Sequence, residues 1–422
     1  MNGKANKNVL VWVDASWGEI EWILPVCKYI KDNLKDLNVI MIFNSFEKED
    51  IIRSNFQLGR LIEESVHVQY TLGEFLSPFA QLLFCAFGSL IKNLGCFGVL
   101  GRKIRSFLYR RLKSHVSVAK IFSTVDPQIF LRDTGDMPKR SLLGEIVPRL
   151  RKRNIPIVMY PHGTDLNLDW GESGPESYEG DLLLCNNDND KRIWGRIFTG
   201  KFKMVVGSPK YDKWWIDFIR SKCSSGSVKG DKINVMFITR GPHHVSLSPG
   251  SFEYLMREGI KEILSFPNTY LYVRPHPRCP IRLLKKFLDK YDPSRWEINT
   301  ENLYCLADNL DFVVSMWSSM TLDSLALNLP VIEFFRFEGS NQQWFRDEKG
   351  KQTTGYRKLG LAAEANTGEE LKQRLTEFMD DPSDIRNKYV EAFKKHVVLF
   401  ENASEKASGE ILKLMNVNGG AH

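Results

Sequence analysis

Three segments of the chain gather side chains suited to holding a phosphate. They are Arg240-Gly241-Pro242-His243-His244, Arg274-Pro275-His276-Pro277-Arg278 and Ser315-Met316-Trp317-Ser318-Ser319-Met320-Thr321. Each follows an apolar run that reads as a strand, and the third opens a helix. Guanidinium groups, imidazoles, hydroxyls and backbone N–H groups together can bind a diphosphate and neutralise its charge as it departs, with no metal required. The candidate donor-binding residues are therefore Arg240, Gly241, Arg274, His276, Ser315, Ser318, Ser319 and Thr321. Each motif also has a plainer reading. Ser318, Ser319 and Thr321 can cap a helix, the prolines around His276 can stiffen a turn, and Gly-Pro after Arg240 is ordinary turn chemistry.

The first half of the chain supplies a different chemistry. In Tyr160-Pro161-His162-Gly163-Thr164-Asp165-Leu166, after the strand-like run Ile155–Met159, His162 is placed to act as a general base with Asp165 as its orienting partner. A loop histidine bonded to its own turn is the alternative. Asp14, Asp133 and Asp136 also follow strand-like runs, where their charge suits acceptor hydroxyls; Asp14 and Asp136 read equally well as turn formers. The eight histidines show neither H-x-x-x-H nor His/Cys ligand spacing, and Walker and G-x-G-x-x-G loops are absent. The expectation is thus no metal site and no resident cofactor, with a nucleotide-activated molecule entering as substrate.

These loops need rigid elements behind them. Short apolar runs alternate with amphipathic stretches throughout, the pattern of a parallel α/β sheet, and 422 residues exceed what one hydrophobic core usually organises. The expected division is an acceptor domain over residues 1–220, a Ser/Gly/Lys-rich linker over 221–232, a donor domain over 233–382 and a helical segment over 383–422. By analogy with two-lobed folds, that last segment crosses back to the first domain. The stretch Arg336 to Arg357 is either a lid over the donor or a solvated insertion.

Apolar residues make up 43% of the chain and charged residues 26%, which is globular rather than disordered composition. The seven cysteines, odd in number and never spaced C-x-x-C, read as reduced thiols, and the N-terminus shows no signal-peptide pattern, so a cytoplasmic address is expected. The net charge of +7 is concentrated: from Glu74 to Val118 seven Lys and Arg face one acid. Within residues 75–113 an apolar stretch precedes a basic one, which suits an amphipathic element on an anionic membrane, at the inner face of the cytoplasmic membrane. A buried helix followed by a solvated basic one is the alternative. Polar interruptions exclude a spanning helix, and no nucleic-acid signature accompanies the charge.

Taken in order, YPHGTDL, NDNDKRIWG, VVGSPKYDKW, VRPHPR and DFVVSMWSSMTLDSLALNLPVIEF resemble the motif series of CDP-glycerol glycerophosphotransferases and related surface-polysaccharide transferases, over about residues 155–335. Bacterial polysialyltransferases and capsule Kdo transferases are more distant in motif style. The resemblance implies a GT-B fold, two Rossmann-like parallel-sheet domains facing a central cleft. It also implies His162 as base, His276 with Arg274 and the Ser318/Ser319 pair on the donor phosphates, and Asp323 on the ribose. Met316 stands where relatives carry an acid.

The function expected is an inverting, metal-independent transfer of a sugar or glycerol-phosphate from a CMP-, CDP- or UDP-linked donor to a hydroxyl of a glycan or lipid-linked acceptor. Two alternatives stay open. One is a non-hydrolysing UDP-sugar 2-epimerase, which shares the architecture; the other is a non-catalytic nucleotide-binding protein.

Overall fold

The computed structural model describes residues 6–14, 17–46, 56–93, 98–134, 142–161, 163, 166, 179–223, 230–242, 247–276, 279, 281–338, 345–347 and 349–419. Their contacts divide the chain into two compact units. Unit 1 comprises Met1–Gly163, Glu176–Asp212 and Asn402–His422; unit 2 comprises Thr164–Pro175 and Lys213–Glu401.

Unit 1 is built on strands β1 (Lys7–Val13), β2 (Leu37–Phe43), β3 (Val68–Thr71), β4 (Pro127–Asp133), β5 (Ile157–Tyr160), β6 (Leu182–Cys185) and β7 (Phe202–Val205). Among the described residues they form a parallel sheet in the order β3-β2-β1-β4-β5-β6-β7. The central strands are almost wholly apolar because parallel strands are covered on both faces; Val9 to Val13 is buried without a break. One face carries Leu10, Trp12, Ile40, Ile42, Phe130 and Ile157, at the two-residue period of a pleated strand, into a core with Phe122 and Ile146.

Helices α1 (Trp17–Asn33), α2 (Phe56–Ser65), α3 (Pro78–Asn93), α4 (Gly98–Lys113), α5 (Val118–Val125), α6 (Leu143–Lys152) and α7 (Asp188–Gly195) connect these strands. Their ends are marked in the sequence. Ser117 caps α5 by accepting from the Lys120 N–H at 3.2 Å, and Asn187 caps α7 by accepting from Asp190 at 2.8 Å.

Unit 2 opens with α8 (Lys213–Arg220) and contains β8 (Ile233–Ile238), α9 (Pro249–Leu264), β9 (Thr269–Arg274), α10 (Ile281–Leu288), β10 (Trp296–Ile298), α11 (Leu303–Leu306), β11 (Phe312–Ser315), α12 (Met320–Ala326), β12 (Val331–Phe334), α13 (Gly355–Lys358), β13 (Ala363–Ala365), α14 (Gly368–Asp380) and α15 (Pro382–His396). The described strands form a second parallel sheet, β10-β9-β8-β11-β12-β13. The last described helix, α16 (Ala403–Gly419), returns to unit 1, where it packs on α1. The buried Asp212 carboxylate accepts from the backbone N–H groups of Ala403 and Ser404, both at 2.8 Å, and so fixes the start of α16.

Both sheets are Rossmann-like. Each reverses its winding at one place, between β1 and β4 in unit 1 and between β8 and β11 in unit 2, and the carboxyl edge at such a reversal leaves a crevice where loops part. The register pairs Val11 with Leu131 and Ile238 with Ser315, which sets the residues that leave these strands level with one another.

The expectation of uniformly reduced cysteines is corrected. Cys223, just past α8, and Cys305, on α11, form a disulfide with their Cα atoms 5.2 Å apart, while Cys27, Cys85, Cys185 and Cys279 are free. The pair is 82 residues apart in sequence, so no local spacing marks it. Packing of α8 against α11 brings it together. The stretch after Arg336 is partly anchored: Phe345 and Thr354 are buried, and α13 lies within it.

Candidate functional site

The reversal in unit 2 draws three loops together. Arg240, leaving β8, donates from Nη1 to the Trp317 carbonyl at 2.9 Å, and its guanidinium lies over the Trp317 indole with Cζ 4.4 Å from the ring centroid. Trp317, leaving β11, holds φ at +48°, a left-handed conformation that a bulky side chain adopts only when its surroundings require it. Here the requirement is visible: the indole is edge-on to Phe345 at 4.5 Å and tilted against Phe335 at 5.9 Å.

The β9 loop joins from the other side. Thr239 binds the Arg274 carbonyl through both its N–H, at 3.0 Å, and its hydroxyl, at 3.1 Å. Arg274 itself donates to the Glu301 carbonyl. A side chain placed at Gly241 would meet Cys279 at 3.6 Å, and the Cys279 N–H bonds the His276 carbonyl at 2.7 Å. Arg240, Gly241, Arg274, His276 and Trp317 therefore share one edge of the sheet.

The hydroxyls divide by burial. Ser315 and Thr321 are fully buried and bonded to each other at 3.3 Å, so they brace β11 against α12 from within. Ser318 caps, accepting from the Met320 N–H at 3.3 Å, and Ser319 is exposed. Asp323 is buried on α12. Met316 is fully buried and its N–H extends the β8–β11 pairing to Ile238 at 3.0 Å, so packing accounts for an apolar residue there.

A buried ion pair that sequence reasoning missed lies behind this edge. Glu333 on β12 and Arg357 on α13 meet at 2.7 Å, and Arg357 also donates to the carbonyls of Glu333 and Phe335, each at 3.1 Å. Burial pushes the Glu333 carboxyl pKa up, against the opposing pull of Arg357 and the Thr354 hydroxyl. The available signal was a lone acid inside the apolar run Val331–Phe334.

In unit 1 the reversal presents acids and amides. The Asp14 N–H donates to both carboxylate oxygens of buried Glu19, at 2.9 and 3.1 Å, and the Asp14 carboxylate accepts from Asn44. Lys113, at the end of α4, donates to Asn44 Oδ1 at 3.1 Å. Burial lowers the Lys113 pKa, with Asp14 acting in the opposite direction. Asp133 is buried and takes a 3.3 Å bond from Thr134. Nearby, Trp22 stacks on Tyr160 at 5.5 Å and donates to Asn186 Oδ1 at 2.6 Å. His162, Asp165 and Asp136 lie outside the described residues. Among the described residues no group of three or more His, Cys, Asp or Glu is placed to hold a metal, and no helix is long and apolar enough to cross a membrane.

No family model matches the chain, and no curated protein matches it. Among solved structures, the chain is similar to S. aureus MnaA in a co-structure with UDP (TM-score 0.59, 14% identity, 97% of this chain and 97% of that chain). It is also similar to UDP-GlcNAc 2-epimerase from Neisseria meningitidis bound to UDP-GlcNAc (TM-score 0.56, 12% identity, 96% and 100%). The glycotransferase of kitacinnamycin follows at TM-score 0.51, with 11% identity over 97% and 100%.

These likenesses show an α/β fold of the GT-B type. They also correct the functional expectation: the 2-epimerase matches better than the glycotransferase, so inverting transfer no longer stands as the leading reading. The CDP-glycerol glycerophosphotransferase resemblance finds no matching family model. The physical reason is that a site for a nucleotide diphosphate looks alike in both reaction classes, so motifs that bind it carry no information about the bond broken next to it.

Proposed function

We propose that this protein is a UDP-sugar isomerase of the non-hydrolysing 2-epimerase type, with the nucleotide seated on the switch-point edge of unit 2. The observation that carries the nucleotide half is the Arg240–Trp317 pair, a cation held over an indole at the reversal between β8 and β11. Arg240 and the Ser318 and Ser319 hydroxyls take the diphosphate, with Arg274 and His276 beside them, and Asp323 takes the ribose. Ser315 and Thr321 serve as internal braces. The choice of isomerisation is supported by the likeness to UDP-GlcNAc 2-epimerase over nearly the full length of both chains.

The reaction constrains what the residues must do. Carbon 2 of a UDP-sugar is not next to a carbonyl, so its proton leaves only as the bond from carbon 1 to the UDP oxygen breaks. A base takes the C2 proton, the C–H electrons form the C1=C2 double bond, and UDP departs with the C1–O pair. Return of UDP to C1 and of a proton to the opposite face of C2 completes the inversion. Arg240 stabilises the charge that collects on departing UDP. Asp14, Asp133, Asp136 and His162 of unit 1, with Asp165, are the acid–base candidates to test.

The test is incubation with UDP-GlcNAc in deuterated water with no acceptor, followed by NMR. The C2 epimer carrying deuterium at C2 is the expected product. Absence of both epimer and exchange, with nucleotide released only when an acceptor sugar is added, overturns the reading.

A further inference from the structure

Helices α3 and α4 present an unusual surface. On α3, Phe79, Leu82, Leu83 and Ala86 are all exposed, Phe79 at 70% and Leu82 at 68%. Their spacing of i, i+3, i+4 and i+7 places them on a single helical face. The inner side is anchored in the ordinary way: Ala80 is buried, and Phe84 packs on Phe46 with ring centroids 5.6 Å apart. Tyr109 of α4 reaches the same Phe46 at 5.4 Å, so one aromatic residue contacts both helices.

On α4, Ile104 and Phe107 are exposed, one turn apart, Phe107 at 54%. Around them Lys103, Arg110 and Arg111 are also exposed, and the Arg111 guanidinium lies 5.5 Å from the Phe107 ring. From Pro78 to Lys113 the sequence contains seven Lys and Arg and no Asp or Glu.

An amphipathic helix that packs inward turns its apolar stripe to the core, whereas α3 turns one outward beside a cationic helix. Protein–protein interface cores are depleted in charge, and soluble monomers rarely leave contiguous apolar patches open. Exposed Phe and Leu beside Lys and Arg, with no acid among them, match the two layers of an anionic membrane surface: acyl boundary and phosphate headgroups. We propose that the α3–α4 face is a peripheral docking surface for an anionic lipid bilayer. Lys113 of the same α4 helix is bonded to Asn44 and through it to Asp14, so docking acts on the helix that borders the carboxyl edge of unit 1's sheet. This inference stands independently of the isomerase reading.

The experiment is vesicle flotation of the full chain, using phosphatidylcholine alone and phosphatidylcholine with about one-third phosphatidylglycerol. The protein floats with the anionic vesicles, and less so as salt rises from about 0.1 to about 0.5 M. Replacing Phe79, Leu82 and Phe107 together by Ser lowers the floated fraction at least about tenfold at an unchanged melting midpoint, since all three are exposed. The double change Arg110→Glu, Arg111→Glu gives a loss of similar size, so the test does not depend on one variant. Equal flotation with both vesicle types, none with either, or flotation of the variants like the parent overturns the proposal. So does sedimentation showing that the Ser variant only converts a dimer to a monomer, which assigns the face to a second copy.

Discussion

The guanidinium of Arg240 lies over the indole of Trp317 and donates to the same residue's carbonyl, joining the loops that leave β8 and β11 where the strand order of unit 2 reverses. A cation held by a ring face and a carbonyl is oriented before any ligand arrives, so less side-chain freedom is lost when an anion binds.

It follows that Arg240→Ala weakens UDP binding by about 1.5–3 kcal/mol, roughly 10- to 150-fold in Kd, the range for a hydrogen bond to a charged group. Arg240→Lys keeps the charge but loses the guanidinium's forked donors and recovers only part of that affinity. Isothermal titration with UDP separates the two variants. Equal affinity in both and in the parent removes Arg240 from the site.

Behind that edge, Glu333 and Arg357 are both almost fully buried, and Arg357 is shared among the carboxylates of Glu333 and Glu364 and several carbonyls. Glu333→Ala leaves the buried Arg357 guanidinium with only the half-exposed Glu364 carboxylate as ion-pair partner, and the expected loss is about 3 kcal/mol in urea unfolding of unit 2. Arg374→Ala removes a half-exposed pair with Glu377 and costs less than about 1 kcal/mol. A similar cost for both would mean that burial of the first pair does not govern its contribution.

Much of the two sheets was legible because each central strand is a continuous apolar run followed by a polar loop, and parallel strands leave no other pattern. Val9–Val13 and Phe312–Val314 are examples. The short edge strands Trp296–Ile298 and Ala363–Ala365 were not legible, since three residues carry no periodicity. Nor was the Cys223–Cys305 pairing, which depends on tertiary packing. At the site, Arg240 was visible as a cation after a strand, but its partner was not: nothing local in Ser-Met-Trp-Ser-Ser announces a positive φ at Trp317. The choice between transfer and epimerisation was not legible, since diphosphate recognition is common to both.

The start of α16 is fixed in unit 1 by one carboxylate, in addition to the packing of α16 on α1. Asp212→Ala leaves the N–H groups of Ala403 and Ser404 buried without an acceptor, at a cost of about 1–3 kcal/mol. Hydrogen exchange localises the effect: faster exchange over residues 403–419, with the β8–β11 region unchanged, is the expected result. Uniform acceleration throughout the chain would instead make Asp212 a determinant of global stability.

Acid sensitivity has an identifiable source at the β2–β3 edge. His67 Nδ1 accepts the Val39 N–H at 2.9 Å, which requires an unprotonated nitrogen, and burial followed by the charge of Lys31 lowers its pKa from the ordinary 6.5. His396 is lowered as well, by burial first and then by Lys395. A histidine with a depressed folded pKa contributes no pH dependence while both states are neutral. As pH falls through 6.5 the unfolded chain takes up protons that the folded chain resists, so stability is lost on the acid side. Urea midpoints measured between about pH 7.5 and about pH 5 should therefore decline in the parent and decline less steeply in a His67→Ala, His396→Ala variant, even though the variant starts lower for want of the Val39 bond. An equal slope in the two proteins assigns the acid loss to other groups.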